Sequence, residues 1–348
     1  MAHDALRRLD PSPDENQIAV RDAFADFFRN ESPPSVVRAA EPLGFDATLW
    51  RRLAGMGIAS MSLPESAGGD DATLVDLVLV AEEWGRTLAP VPLASHVTAT
   101  RLLAATGAPA DVVHHAAQAE RLVTLAHTSA RAGAAQLVPD AAVAADVIAL
   151  DGDELVLFSM PEPAKHVPNQ GSTPLAWWQP DDGATRTVLA SGSAAVAAHA
   201  AAVGEWKLLT AAALVGMTEA ALALAVEFAR TRETMGVPIG TLQGVSFPLA
   251  DVAIAVSGAR NYVYKAAWTA DHEPGTRPEL PLMAFDAARR TATHGTTTAA
   301  HLQGGLGFTV EADAGLYFLR AKGWSALAGD PGADLSAIGE RLLSTRRG

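Results

Sequence analysis

Arginine and paired glycines are the residue types in this chain that could hold an anion. The planar guanidinium group of Arg232 can donate two hydrogen bonds to a phosphate and adds a full positive charge. Gly304 and Gly305 are adjacent, so their backbone N–H groups can approach an anion without interference from Cβ atoms. Arg232 could instead cap the C-terminal end of a helix, and the glycines could simply end one. The residue types alone favour the structural interpretation, whereas the presence of both motifs in one domain favours anion binding.

Long helices must position these residues. From Glu205 onward, apolar residues recur at spacings of three and four, which predicts a helix buried on several sides. A second helix is predicted over about residues 242–271 and a third over about 282–301, joined by a polar linker that contains two prolines. Helices of this length and order usually form an antiparallel bundle. Arg232 then follows the first helix, and the glycine pair follows the third.

The rest of the chain is predicted to be helical first and then β. Gln17–Phe28 has a helical pattern of apolar residues, and Asp46 is a candidate N-cap. Asp151–Asp153 separates two apolar runs and predicts a β-hairpin. The predicted fold class is therefore mainly α with a small central β domain. The predicted domains are an N-terminal helical domain (1–120), a reduced β domain (121–200) and a C-terminal helical bundle (201–348).

Composition narrows the classes of function. The net charge of −13 argues against nucleic acid or an anionic membrane as the main partner. The chain has no cysteine, which excludes disulfides, thiolate metal sites and cysteine nucleophiles, and no metal site is expected. Met1–Asp10 lacks the apolar segment of a signal peptide, and no uninterrupted apolar run approaches about 18 residues. A cytoplasmic location is therefore expected.

Several motifs resemble the acyl-CoA dehydrogenase family in order and spacing. Arg232–Ile239, followed by Gln243 and Leu249–Asp251, resembles the family segment Arg-x-x-Phe-Gly-x-Pro-Ile…Gln…Leu-Ala-Asp. Gln303–Glu311 resembles the family's Gly-Gly-x-Gly-Phe/Tyr segment, and Leu63–Gly69 and Glu82–Arg86 resemble its first-domain motifs. The resemblance covers nearly the whole chain except the middle. It implies an N-terminal helical domain, a middle β-barrel domain and a C-terminal four-helix bundle.

The resemblance also implies FAD as the cofactor. In the family, the arginine and the glycine pair hold the ADP half of an FAD whose flavin lies in the neighbouring subunit. His301 stands where the family has a glutamine ahead of the glycines, while Gln303 lies directly beside them, and either could reach the cofactor. Met235 replaces the family's aromatic partner for the adenine. The expected cofactor-binding residues are Arg232, Met235, Gln243, His301, Gln303, Gly304 and Gly305.

The carboxylate base of the family reaction is missing. The reaction removes a proton from the carbon α to the thioester while the flavin takes a hydride from the β carbon, so a base must lie beside the flavin. The commonest family position, 23 residues after Gly305, is Ala328, and the alternative, 26 residues before Arg232, is Trp206. Glu205 and Asp330 are near in sequence, but one residue turns a helical side chain by about 100°. No catalytic residue is therefore expected in this chain.

The chain's own flavin pocket also looks degraded. The family's Thr/Ser-Glu-Pro…Gly-Ser-Asp pattern, which cradles the flavin, is absent around residues 127–140. The groups that serve a neighbour's FAD are kept, whereas those that serve a flavin of the chain's own are lost. This combination resembles the non-catalytic subunit of the actinobacterial heteromeric α2β2 acyl-CoA dehydrogenases that oxidise CoA esters of sterol (cholesterol) side chains.

That resemblance implies three kinds of partner. They are a paralogous catalytic subunit, an acyl-CoA substrate, and an electron-transfer flavoprotein or similar acceptor. Two other interpretations stay open. The chain could form a self-sufficient homotetramer with Glu205 or Asp330 as a displaced base, or it could be a flavin-free scaffold.

Overall fold

Helices, then strands, then helices follow one another along the chain, in the predicted order. The structure, a computed structural model, describes residues 11–130, 134–180 and 183–345, so the expectation about a signal peptide in Met1–Asp10 falls outside the described residues. The helices before the strands are α1 (Glu15–Glu31), α2 (Pro34–Ala39), α3 (Ala47–Ala54), α4 (Leu74–Thr87), α5 (Leu93–Ala105) and α6 (Ala110–Ala117).

Side-chain caps fix where the first helices begin. Asp14 and Gln17 form a capping box at the start of α1, in which each side chain accepts the other residue's backbone N–H. The predicted N-cap at Asp46 is confirmed, because its carboxylate accepts from the N–H groups of Thr48 at 2.8 Å and Leu49 at 3.0 Å. Local polar residues therefore determine these boundaries.

The middle of the chain forms two small sheets. The strands are β1 (Val123–Leu125), β2 (Gln136–Val138), β3 (Asp146–Asp151), β4 (Glu154–Ser159), β5 (Ala176–Trp178) and β6 (Thr185–Ser191). One sheet has the order β1-β3-β4-β6, with β1 parallel to β3 and the other pairs antiparallel, and the second sheet pairs β2 with β5. The predicted hairpin is confirmed at the β3–β4 turn, where Gly152 has a φ of 64°.

The last part of the chain contains the predicted long helices. They are α7 (Ser193–Thr231), α8 (Gln243–His272), α9 (Leu280–Leu302), α10 (Asp313–Ala326) and α11 (Pro331–Thr345), and a two-stranded hairpin, β7 (Glu233–Thr234) and β8 (Val237–Pro238), follows α7. Among the described helices, α7 alone is long and apolar enough to cross a membrane, but 67% of its most apolar window is buried inside the protein. The burial indicates a core helix.

The chain divides into two compact units. One combines α1 and Leu74–Ala89 with the chain from Lys207 onward, and the other combines Ser35–Thr73 with Pro90–Trp206. The helical bundle lies in the first unit, and both small sheets lie in the second. The domain boundaries near residues 120 and 200 stay a prediction.

Small residues and charged side chains join α4 to the bundle helices. A Cβ atom at Gly85 would lie 1.9 Å from the backbone oxygen of Ala213, so only glycine permits this helix crossing. Beside it, Arg86 lies 2.5 Å from Glu219, and Arg260 lies 2.8 Å from Glu219. Although burial opposes it, these guanidinium groups lower the pKa of Glu219. The family-like Glu82–Arg86 segment thus has a structural role here.

Candidate functional site

An apolar cluster brings the two segments that are expected to bind the FAD pyrophosphate to one end of the helical bundle. It joins the C-terminal part of α7, the start of α8 and the end of α9 through Ala225, Ala229, Leu249 and Ala299, with Ile239 and Leu302 packed against it. The chain segments that leave these helix ends are residues 232–243 and 301–305. We call these two segments the bundle end. The positions that could bind FAD are therefore neighbours in space as well as members of one motif set.

Arg232 is exposed at the bundle end, and its guanidinium group has no partner among the described residues. Its backbone N–H donates to the carbonyl oxygen of Phe228 at 2.8 Å, directly after the last residue of α7. The guanidinium group makes no hydrogen bond or ion pair with any described residue. By contrast, Arg230 lies 3.9 Å from Glu227. The helix-capping interpretation of Arg232 therefore has no support in the described residues, and the group is available to a ligand.

Met235 is at the tip of the β7–β8 hairpin and is 96% exposed. It has a φ of 52°, and the following Gly236 has a φ of 79°. Positive φ at both central residues is typical of a type I′ turn, which tightly links two strands. Methionine in this left-handed region is strained by about 1–2 kcal/mol. A large apolar side chain is thus held in solvent at some cost in stability.

The glycine pair follows α9 and leaves its backbone open. Nothing lies within 4 Å of a Cβ atom placed at Gly304 or Gly305. The N–H of Gly304 donates to the carbonyl oxygen of His301 at 2.9 Å, but the N–H of Gly305 has no acceptor in the described part of the chain. His301 is exposed and Gln303 is half-buried. The pair therefore does more than end the helix, because it presents an open donor.

The start of α8 adds a second source of positive potential. Gln243 is its first residue and is exposed, and the N-cap position is Leu242, whose side chain makes no capping hydrogen bond. The N–H groups at the N-terminus of a helix carry a partial positive charge that favours anions. All seven expected cofactor-binding residues therefore lie at the bundle end, together with this helix terminus.

Trp206, at the alternative base position, fills a buried space in the second compact unit. It is 2% exposed, and its Nε1 donates to Ser95 Oγ at 3.1 Å. Its ring lies against the ring of His127, with centroids 4.1 Å apart and planes inclined at 53°. His127 belongs to the segment that should cradle a flavin. Contact between these two side chains leaves no room for a flavin ring between them.

Ser95 links Trp206 to a buried carboxyl group through hydrogen bonds. The hydroxyl of Ser95 receives the indole N–H and also hydrogen-bonds to the carboxyl of Asp140. Burial raises the pKa of Asp140 to about 6, although the hydrogen bond from Ser95 opposes this change. We call Ser95, His127, Asp140 and Trp206 the Trp206 core. No sequence motif marks Ser95 or His127, so sequence reasoning missed their part in filling this space.

The other carboxylates near the expected base positions are committed elsewhere. Glu205 is 18% exposed, and its Oε1 accepts from Arg101 Nε at 2.8 Å. Asp330 is exposed, and its Oδ1 accepts from the N–H of Gly332 at 2.9 Å in the first turn of α11. Ala328 itself lies between α10 and α11 and carries no functional group. Each of these two carboxylates therefore has a structural role in the described chain.

Comparison with known proteins identifies the family. The profile "Acyl-CoA dehydrogenase, C-terminal domain" matches residues 196–343, and "Acyl-CoA dehydrogenase, N-terminal domain" matches residues 14–110. The acyl-CoA dehydrogenase IpdE2 of Mycobacterium tuberculosis is 30% identical over 339 residues, which cover 92% of this chain and 95% of that protein. The chain belongs to the acyl-CoA dehydrogenase family.

Solved structures agree with this assignment. The Tcur3481–Tcur3483 steroid ACAD superposes with a TM-score of 0.85 at 25% identity, covering 96% of this chain and 99% of that one. The ChsE4–ChsE5 complex of M. tuberculosis superposes with a TM-score of 0.86 at 24% identity and the same coverage of 96% and 99%. The acyl-CoA dehydrogenase fold is thus confirmed, and FAD is the cofactor of the family, since solved relatives contain FAD or FADH2.

Proposed function

We propose that this chain is the non-catalytic subunit of a heteromeric acyl-CoA dehydrogenase and lends FAD-binding groups to a catalytic partner. The observation that carries the proposal is the direct contact between Trp206 and His127, at 4.1 Å between ring centroids. One side chain occupies a family base position and the other belongs to the segment expected to cradle a flavin. A chain built in this way has neither a base nor space for a flavin of its own.

The ADP half of FAD fits the bundle end. It carries a pyrophosphate, whose charges match the free guanidinium group of Arg232 and the open N–H of Gly305. The uncapped N-terminus of α8 adds to the same positive potential. Met235 is placed to pack against the adenine, since its polarisable side chain is almost fully exposed. When bound, FAD accepts the hydride from the substrate; the residues of this chain only bind and orient it.

The partner chain is proposed to cover the apolar side chains around the bundle end. Near the bundle end, Met235 is 96% exposed, Phe308 64% and Val310 82%. We infer that these exposed apolar side chains belong to an interaction surface. The family arrangement, in which one subunit's groups reach the FAD of its neighbour, makes a paralogous acyl-CoA dehydrogenase with an intact base the occupant. An α2β2 heterotetramer satisfies both chains.

The relatives support a substrate class and an assembly for the proposal. The Tcur3481–Tcur3483 steroid ACAD and the ChsE4–ChsE5 complex each pair two different proteins, which supports a heteromeric assembly for this chain too. The steroid relative supports the CoA esters of sterol side chains, such as those of cholesterol, as substrates that the complex would α,β-desaturate. A cytoplasmic location and an electron-transfer flavoprotein or similar acceptor complete the proposal.

Titration of FAD into the apo complex with a catalytic partner tests the role of the bundle end. Loss of one charge-assisted hydrogen bond costs about 1.5–3 kcal/mol, so Arg232→Ala should weaken FAD binding roughly ten- to hundredfold. Arg232→Lys should restore part of the lost FAD affinity, because lysine keeps the positive charge but cannot donate two parallel hydrogen bonds to the pyrophosphate. Arg230→Ala is the matched control, since Arg230 lies two residues before Arg232 and already contacts Glu227.

The outcomes separate the competing functions. Equal dissociation constants for wild type and Arg232→Ala would overturn the proposed cofactor role. Flavin colour and turnover in the chain purified alone would instead favour a self-sufficient enzyme with a displaced base. Absence of FAD from every co-purified complex would favour a scaffold.

A further inference from the structure

A separate cavity opens within the second compact unit. It has a volume of about 450 Å³ and lies between the second half of α5, the first part of α7 and Ser62–Pro64. Small-molecule sites commonly have volumes of about 300–1,000 Å³ and mostly apolar walls. Alanine and leucine side chains make up most of this wall. The cavity therefore has the size and the lining of a binding site for an apolar molecule.

The cavity is distinct from the positions that serve the family reaction. Neither Trp206 nor Ala328 lines it, and no expected FAD-binding residue does. The indole of Trp206 is instead bonded to Ser95, which does not line the cavity either. Whatever the cavity binds is therefore not held at a family base position. Ligand binding in this cavity does not depend on whether the chain binds FAD.

A charged pair supplies both a donor and an acceptor at the cavity wall. Arg101 Nε donates to Glu205 Oε1 at 2.8 Å, and Arg101 Nη1 donates to the carbonyl oxygen of Ser62 at 2.9 Å. A guanidinium group has five N–H donors, so most of those of Arg101 remain for a ligand. The pair has no net charge, because Glu205 neutralises Arg101. It therefore suits a neutral polar group better than an anion.

Two hydroxyl groups of the same wall lack partners. Ser62 is 8% exposed and Thr98 is 1% exposed, and the hydroxyl oxygens of both are buried without a hydrogen bond to any described residue. Buried hydroxyls are nearly always hydrogen-bonded in folded proteins. A polar ligand atom that these groups reach by rotation of their side chains would remove this deficit.

We propose that this cavity binds an apolar alcohol. The hydroxyl group of the ligand accepts a hydrogen bond from Arg101 and donates one to Glu205, while its hydrocarbon body lies against the alanine and leucine side chains. A carboxylate of equal length would meet the negative charge of Glu205. The polar pair thus selects a neutral hydroxyl over an acid of the same shape.

Calorimetric titration of the purified chain with n-decanol and with decanoate tests this selection. We expect n-decanol to bind and decanoate to bind at least about tenfold more weakly. Arg101→Met should weaken n-decanol binding about tenfold. Glu205→Gln should reverse the preference, because it removes the negative charge and leaves Arg101 free to bind decanoate.

A matched pair of substitutions locates the ligand. Ala201→Phe places a ring in the wall of the cavity and should abolish n-decanol binding, whereas Ala200→Phe, on an exposed neighbour that does not line the cavity, should leave it unchanged. The proposal is overturned if n-decanol does not bind, if decanoate binds as tightly in the wild type, or if Ala201→Phe has no effect. The preference reversal by Glu205→Gln keeps the test decisive even if Arg101→Met does not fold.

Discussion

The bundle end and the Trp206 core use their polar groups in opposite ways. At the bundle end, the guanidinium group of Arg232 and the N–H of Gly305 have no partner among the described residues. In the Trp206 core, the indole N–H is bonded to Ser95, whose hydroxyl is in turn bonded to Asp140. Donors left open indicate a site for an external ligand, whereas donors satisfied internally indicate a structural core. This contrast agrees with the proposal that the chain lends FAD-binding groups to a partner and holds no flavin of its own.

A carboxylate at the missing base position should not make the isolated chain an active enzyme. Ala328→Glu places a carboxylate at the usual family position, but it leaves the contact between Trp206 and His127 in the Trp206 core unchanged. We expect the isolated variant to stay at least a thousandfold below the turnover of ordinary enzymes, which is on the order of 1–10³ per second. The assay uses acyl-CoA thioesters with a dye acceptor. Ordinary turnover would show that the flavin pocket is intact.

Removing the ring of Trp206 tests whether the core is structural. Trp206→Ala deletes a buried indole and its hydrogen bond, so the free energy of unfolding should fall by about 3–5 kcal/mol. Trp177→Ala, at a side chain that is 54% exposed, is the control and should cost much less. Denaturant unfolding measures both. If Trp206→Ala instead binds FAD in the isolated chain, the indole ring blocks a functional flavin site in the wild type.

The carboxyl of Asp140 should make the free energy of unfolding decrease as the pH rises. Its pKa is raised from 3.8 to about 6 by burial, so the folded state binds the proton more tightly than the unfolded state does. Its contribution to the free energy of unfolding is therefore complete below pH 3.8 and is lost as the pH rises through about 6. Asp140→Asn should stabilise the chain above that range by roughly 1–3 kcal/mol. Unchanged stability profiles would place this carboxyl in solvent.

The smallest expected effect is at the hairpin of the bundle end. Met235→Asn relieves the strain of a positive φ, because asparagine adopts that region more readily, and should raise the free energy of unfolding by up to about 1 kcal/mol. The same change should weaken FAD binding in the complex, because the packing surface for the adenine is lost. Thermal unfolding and FAD titration measure the two effects. A variant that binds FAD as tightly as wild type would remove Met235 from the site.

Local signals made much of the fold predictable. The N-cap at Asp46 and the turn at Gly152 depend on residues close in sequence, and both are confirmed. The sequence did not predict the pairing of β2 with β5. These strands have three residues each, too few to show an alternating pattern, and their register joins distant segments such as Gln136 and Trp178.

The candidate site also has a part that the sequence predicted and a part that it did not. Motif spacing predicted which residues belong to the bundle end, because each motif is a short continuous segment. It could not predict that His127 and Trp206 touch, since that contact joins a segment after β1 to the long helix α7. Nor could it predict the pairing of Glu205 with Arg101, which binds one of the two displaced carboxylates. Both contacts depend on the packing of segments that are far apart in the sequence, which motif spacing does not report.

Flavin content per chain tests most directly whether this chain lends FAD-binding groups to a partner and holds no flavin of its own. The chain and a catalytic acyl-CoA dehydrogenase partner would be co-purified, and FAD would be measured by absorbance against the amount of each chain. We expect one FAD for each pair of unlike chains, none in this chain alone, and reduced FAD retention in the complex that carries Arg232→Ala. One FAD for each chain, including this one, would contradict this expectation, because the Trp206 core would then have to accommodate a flavin.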